Sequence, residues 1–551
     1  MSHGYWKDLL NILALETVGE LRGGDLDSSY LHHPRMDHNY RKKCRSKVGT
    51  PESRLKATLL ADARAKEVAA KERKKKNEQF HDRLLTRLKE PRFRALFIAV
   101  ARLFAEQLLK DIRVLDELNS AENRIALLKT LSLAGKWAPT PGGSHDRVTS
   151  IATAICELIY ASGSFTYPSI LKTSISDEER ARVLLSFYQR WILTELRRAL
   201  SCPEPLMSAN RWTEIKYNFI PSICMKNNQE HFLKHDPDGF EKYLTAVESG
   251  EKTISGATLL PHELVAQAVA RVDRSRSKSA AIQKLKKKIA LSRIRVVEAQ
   301  WKTLISNLRD AGSIENSIAV CDVSGSMGSI YQKYGESYVA PILPAVSLSL
   351  VLASLAKPPF NGGFITFSAN PKYEVVDPDE PLTEQIAKVL RSDWGMNTNF
   401  SSVFIDLLLP LAVKNNIKQE DMIKRLFVFS DMQFDAASGT RNRKWSTNYD
   451  VIEQAYKKAG YEVPQIVYWD LAAAKTKEVE NSRKRGIAMM NGFSPAMLKV
   501  FMGEEEEAPV DWGKVEEDGS VTMVEKDSFD PYSVMLKALT KKSFDGLVVI
   551  D

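Results

Sequence analysis

AVCDVSGSMG, Ala319–Gly328, starts as an apolar run and ends in one acid followed by hydroxyls and glycines. A run this short, bounded by Ser and Gly, reads as a buried strand whose last residue, Asp322, faces the turn beyond it. The pattern recurs downstream. SIAVCDV (317–323), GFITFS (363–368), RLFVFS (425–430), QIVYWD (465–470) and GIAMMN (486–491) are strand candidates, and GLVVI (546–550) is a sixth. Helical stretches at 338–356, 381–391, 399–413, 449–459, 494–502 and 531–541 lie between them. Strands and helices in alternation predict a doubly wound, Rossmann-like α/β domain over 313–551, its parallel sheet covered on both faces. Residues 503–530 hold eleven acids against Lys514 and Lys526 and are expected to form an acidic surface loop.

Before residue 300 the period is helical instead. FRALFIAVARLFAEQLL puts Phe93, Leu96, Phe97, Val100, Phe104 and Leu108 on one stripe, and Arg94, Arg102 and Glu106 off it. Similar amphipathic segments follow, punctuated by APTPGG (138–143) and SCPEP (201–205). Residues 1–300 are therefore expected to be an all-α, HEAT-like helical-repeat array. The split in period coincides with a split in charge. Residues 1–300 carry 51 of the 78 Lys+Arg and 35 of the 69 Asp+Glu, net +16, which leaves −7 for 301–551. A basic half suits a polyanion, although a Lys-rich solvated surface accounts for the same numbers. Two segments concentrate the charge. Residues 63–90 read as a long exposed helix, and 271–297 as a basic amphipathic helix with Ile282, Leu285, Ile289 and Val296 on its apolar side.

Five scattered cysteines without a CxxC pair argue against a disulfide framework or structural zinc, and for a reducing compartment. The start, MSHGYWKDLL, lacks the order of a secretory signal. A cytoplasmic location is expected, with the nucleus as an alternative. Tyr338–Ala356 is apolar enough to raise the question of a membrane span. Its Pro341 and Pro344, and its place after a strand, favour a buried helix covering a sheet, so no membrane partner is expected.

Ligands of a doubly wound sheet sit outside the carboxyl ends of its strands. Asp322, Ser324 and Ser326 occupy the first such end, Thr398 in DWGMNTNF (393–400) starts a helix, and Asp431 in LFVFSDMQ (426–433) ends another strand. SDMQFD offers Asp435 as an alternative to Asp431. Two carboxylates and three hydroxyls, with no sulfur or imidazole, make a hard-oxygen set suited to Mg²⁺, with Mn²⁺ or Ca²⁺ as alternatives. Were the loop only structural, its hydroxyls would cap the following helix. Catalysis is the minority reading. A phosphohydrolase using Asp322 as nucleophile would want an acid two residues later, where Ser324 stands. No histidine follows His262 to build a triad, and no GxxxxGK[ST] occurs.

Asp322-Val323-Ser324-Gly325-Ser326 resembles the D-x-S-x-S signature of the metal-ion-dependent adhesion site in von Willebrand factor A domains. The resemblance implies that Ser324, Ser326 and Thr398 ligate the ion directly. Asp322 and Asp431 would act through coordinated waters, with one position open for a partner's carboxylate. GYWKDLLNI (4–12), LAGKWAPTP (133–141), KHDPDGFEKYL (234–244), GATLLPHELV (256–265) and VCDVSGSMG (320–328) are similar to the family called domain of unknown function 2828. The architecture, a TROVE-like helical half followed by an A-like domain, also resembles the Ro autoantigen family of RNA-binding proteins. That resemblance implies helical repeats whose basic surface binds RNA. Ro-type relatives carry a further helical segment upstream of G-x-W-K-D-L, so this sequence is expected to form an open arc or to come from a truncated gene model. The expected function is a non-catalytic scaffold with RNA and an acidic protein as partners. A purely protein-binding scaffold is the alternative. No RNA-contacting residue is assigned from the sequence, and the oligomeric state stays open.

Overall fold

The computed structural model describes residues 5–19, 50–118, 123–172, 175–256, 258–270, 280–312, 314–331, 339–367, 371–391, 400–431, 445–471, 486–502, 513–515, 521–523 and 529–540. They divide into two compact units, Met1–Lys216 and Tyr217–Asp551. That boundary falls inside the segment 1–300, expected from its period to be one helical array.

The described residues of the first unit are helical, with no strand among them. Its main helices are α1 (Trp6–Val18), α2 (Pro51–Arg87), α3 (Pro91–Glu117), α4 (Ile151–Ala161) and α5 (Asp177–Phe187), the last continuing through a π-turn at Tyr188–Leu193. The expected α3 stripe forms the core. Phe93, Phe97, Val100, Phe104 and Leu108 are buried and Leu96 packs against them, joined by Leu10 and Leu13 of α1, Ile155 of α4 and Leu184 of α5. Ser176 and Glu179 form a reciprocal cap that starts α5. α2 is different. Thr50 caps it and Leu84 near its end is buried, but residues 59–79 are exposed on every side. Its composition explains this, because eleven basic and six acidic side chains leave no continuous apolar face.

The second unit begins with helices α6 (Ser222–His235), α7 (Pro237–Glu248), α8 (Pro261–Val269) and α9 (Ala280–Arg309). A six-stranded sheet follows: β1 (Ser317–Asp322), β2 (Gly363–Phe367), β3 (Lys372–Val375), β4 (Arg425–Ser430), β5 (Gln465–Asp470) and β6 (Ile487–Asn491). The order is β3-β2-β1-β4-β5-β6, parallel except for β3, which runs antiparallel to β2 at one edge. Each central strand alternates between two cores. Ile318, Val320, Val428 and Tyr468 face Phe404 and Tyr456, while Ala319, Cys321, Phe429 and Trp469 face the opposite side.

On that opposite side lies α10 (Ile342–Leu355), and all fourteen of its residues are buried. Its outer surface meets Leu264 and Val265 of α8 and Val297, Trp301 and Leu304 of α9 within one core. A helix lying between a sheet and a second helical layer has no face left for polar residues, which accounts for the apolar run that raised the membrane question. Among the described residues no helix is long and apolar enough to cross a membrane. α9 also reaches α11 (Leu382–Arg391), where the Glu298 carboxylate accepts from the backbone N–H of Leu382 at 2.7 Å and of Thr383 at 3.1 Å. A side chain of one helix thereby caps another.

The other face carries a helix over 400–414, α12, with a π-turn at Val403–Leu408, and α13 (Trp445–Ala459). α14 (Pro531–Leu539) is the last described helix. Several expectations need adjustment. Residues 494–502 hold a 3₁₀ segment, Pro495–Val500, rather than an α-helix. The acidic insertion contains two short antiparallel strands, β7 (Gly513–Val515) and β8 (Val521–Met523). In α9 Leu285 is 53% exposed, so burial of the apolar side starts near Ala290. The possible strand at 546–550 lies outside the described residues.

Candidate metal centre

The strand order reverses at β1. The chain leaves β1 for β2 on one side and then crosses to β4 on the other, and this is where doubly wound sheets open a crevice. Asp322 ends β1 and Asp431 follows β4, so both stand at the mouth of that crevice. Both are buried, at 1% and 6% exposure. Asp322 Oδ1 accepts from the Ser324 backbone N–H at 2.9 Å, and Oδ2 accepts from the Ser430 hydroxyl at 2.5 Å. Burial raises the Asp322 carboxyl above its ordinary value. The Ser430 and Ser324 hydrogen bonds oppose that rise, and the Asp431 charge adds to it.

After Asp322 the chain makes one 3₁₀ turn, Gly325–Met327, closed by Gly328 at φ 82° and ψ −154°. That backbone region is open to glycine alone, and a Cβ there would lie 3.1 Å from the Ala340 Cβ. The turn brings the Ser324 and Ser326 hydroxyls to 3.0 Å. Such a pair can share a hydrogen bond. It also has the spacing of adjacent corners of an octahedron with metal–oxygen bonds of about 2.1 Å. Ser324 is buried and Ser326 is exposed, so the pair spans from the interior to the surface. Thr398 and Asp435 lie outside the described residues; of the other expected ligands, Asp322 is hydrogen-bonded to Ser324, Ser324 meets Ser326, and the Asp431 charge acts on Asp322.

Two further residues belong to the same strand ends. Ser430 pairs in register with Asp470, the 3%-exposed last residue of β5. By alternation Asp322, Ser430 and Asp470 point to the same side of the sheet, making a row across three adjacent strands. The sequence did contain a signal for Asp470, since AVCD, FVFSD and VYWD are all apolar runs ending in Asp. Among the described residues no group of three His, Cys, Asp or Glu side chains is placed to hold a metal. A cation here would depend on the serine hydroxyls. The donor set fits a hard divalent ion, because hydroxyl and carboxylate oxygens are the atoms present, and a cation would offset charge otherwise held away from water.

Residues 1–314 match the domain of unknown function DUF2828. The chain belongs to that family. Residues 316–539 match a second domain of unknown function, DUF7788, and every residue of the candidate centre lies within that match. This DUF2828 protein is 28% identical over 426 residues to an uncharacterized protein of Acanthamoeba polyphaga mimivirus. The match covers 74% of the chain and 63% of the viral protein, so the chain spans less than two thirds of that relative's length. The DUF2828 match ends just before β1, although α8 and α9, inside it, pack on α10 of the DUF7788 region.

Proposed function

We propose that this DUF2828 protein is a non-catalytic scaffold. Its basic helical unit binds RNA, and its sheet domain, similar to a von Willebrand factor A domain, binds an acidic protein ligand through Mg²⁺. The observation that carries the metal half is the Ser324–Ser326 hydroxyl pair at 3.0 Å beside two buried aspartates where the strand order reverses. Asp322, Ser324, Ser326 and Asp431 would hold the ion, with Thr398 expected as a fifth ligand. A bound divalent cation would offer an open coordination position to a partner's carboxylate. Asp322→Ala is expected to abolish Mg²⁺ and Mn²⁺ binding in calorimetric titration while the protein still melts cooperatively. Unchanged affinity in that variant refutes the assignment.

Charge supports the RNA half. Residues 1–216 carry 37 Lys+Arg and 26 Asp+Glu, net +11, so residues 217–551 carry −2. Phosphate neutralisation supplies most sequence-independent affinity and makes it steeply dependent on salt. A TROVE-like reading of the helices, by resemblance to Ro-type proteins, agrees with this. The second reading is a scaffold for proteins alone. It draws on apolar side chains left outside the first unit's core, Ile125 at 70% and Trp191 at 63% exposure.

A further inference from the structure

Two sequence motifs more than a hundred residues apart meet in the first unit. GYWKDLLNI supplies Tyr5 and Lys7, and LAGKWAPTP supplies Lys136 and Trp137. The Lys7 ammonium lies 5.4 Å from the centre of the Trp137 ring, and the Lys136 ammonium lies 5.1 Å from it. Tyr5 meets the same indole edge-on at 5.4 Å and stays 49% exposed. We propose that Tyr5, Lys7, Lys136 and Trp137 form a contact site for single-stranded RNA. The two ammoniums take phosphate oxygens, and the outward part of the Tyr5 ring stacks on a base. The assignment rests on the reading of this unit as RNA-binding and gives it residues.

Packing alone does not explain the cluster. Two like charges gather on one ring, and an anion bound between them would relieve their repulsion. Burial holds the Lys7 ammonium below its ordinary value, with Asp8 opposing, and a phosphate would restore some of the lost solvation. The carboxylate beside them, Asp8, accepts from the Tyr5 backbone N–H at 2.9 Å as the helix cap. Nucleic-acid surfaces of this kind combine cations that follow the backbone with an aromatic face that takes any base.

The platform is also rigid. Trp6 packs on Phe104 of the α3 core at 4.9 Å. The Arg197 guanidinium donates to the carbonyls of Gly135 and Ala138, at 3.2 and 2.8 Å, and to the Thr140 hydroxyl at 2.9 Å, which fixes the single helical turn Ala134–Trp137 that carries Lys136 and Trp137. Gly135 permits that approach, since a Cβ there would lie 2.7 Å from the Leu196 Cβ. Side chains held in place before binding lose less entropy on binding.

The test is fluorescence anisotropy of the full chain with a short labelled oligouridine over a series of salt concentrations. Lys7→Gln with Lys136→Gln is expected to weaken binding on the order of tenfold and to lower the salt slope by roughly 1.4. Lys7→Arg with Lys136→Arg keeps both charges and is expected to retain binding. Tyr5→Leu, at an exposed position, is expected to lose on the order of tenfold with the salt slope unchanged, and it carries the test should the glutamine pair fail to fold. Wild-type binding that neither Tyr5→Leu nor a folded glutamine pair reduces overturns this site and leaves the RNA reading standing. Absence of wild-type binding even at low salt overturns both.

Discussion

Asp322 is a carboxylate held away from water by the same strand that presents it. Its pKa is raised, mainly by burial, so the folded state binds its proton more tightly than the unfolded chain does. The sign follows from linkage. Without metal, this group favours the fold below the ordinary carboxylate value, and the benefit is lost as pH rises through the raised value. Above the ordinary carboxylate value the group therefore weighs against the metal-free fold. Asp322→Asn imitates the protonated form, and it is expected to raise the metal-free melting temperature at pH 7 by a few degrees. The gain should shrink toward pH 4. If Asp322 holds Mg²⁺ as proposed, saturating Mg²⁺ should reverse the order, because a ligand bound only by the wild type stabilises only the wild type. Differential scanning calorimetry at the two pH values, with and without Mg²⁺, checks all three outcomes. A variant less stable than wild type without metal at pH 7 would show that the ionised carboxylate supports the fold.

At the level of elements, the 250–300 region shows why a helix can be easy to find and hard to place. Gly256 opens the stretch GATLLPHELV and lies so close to α9 that a Cβ would stand 2.3 Å from the Gln300 carbonyl oxygen. That obstacle is backbone, and no rotamer change can move it aside. Gly256→Ala is therefore expected to cost about 1–3 kcal/mol, read as a lower denaturation midpoint with an unchanged slope. The five described parallel strands were readable because each is an apolar run with turn residues near its ends. β3 was not, because KYEV is only four residues long and mostly exposed at the sheet edge, too short for its alternation to stand out. The neighbours of α8 and α9 were hidden for a similar reason. A helical period reveals that a face is buried, but not whether it packs on another helix or on a sheet. Site legibility divides the same way. Asp322, Ser324 and Ser326 are adjacent in sequence and Asp431 ends an obvious strand, whereas the nearness of Ser430 and Asp470 depends on β4 lying between β1 and β5. No local pattern encodes that order.

For the molecule as a whole, the division at Lys216 and Tyr217 matters more than the change of period near residue 313. A fragment beginning at residue 316 would keep the sheet but lose Leu264, Val265, Val297, Trp301 and Leu304 from the core over α10. Burying each large apolar side chain is worth roughly 1.5–3 kcal/mol, so the loss of five is comparable to the whole stability of most domains. Residues 316–551 are expected to aggregate or to bind a hydrophobic dye without a cooperative melt. Residues 217–551 are expected to melt cooperatively, and equal behaviour of the two fragments would show that α8 and α9 are dispensable. The layered position of α10 also sets a timetable for synthesis. α8 and α9 leave the ribosome before the helix they cover has been translated, so a greasy surface waits uncovered until residue 355 emerges. Until then the nascent chain is a natural client for chaperones, and a pause in translation within that interval would lengthen its exposure.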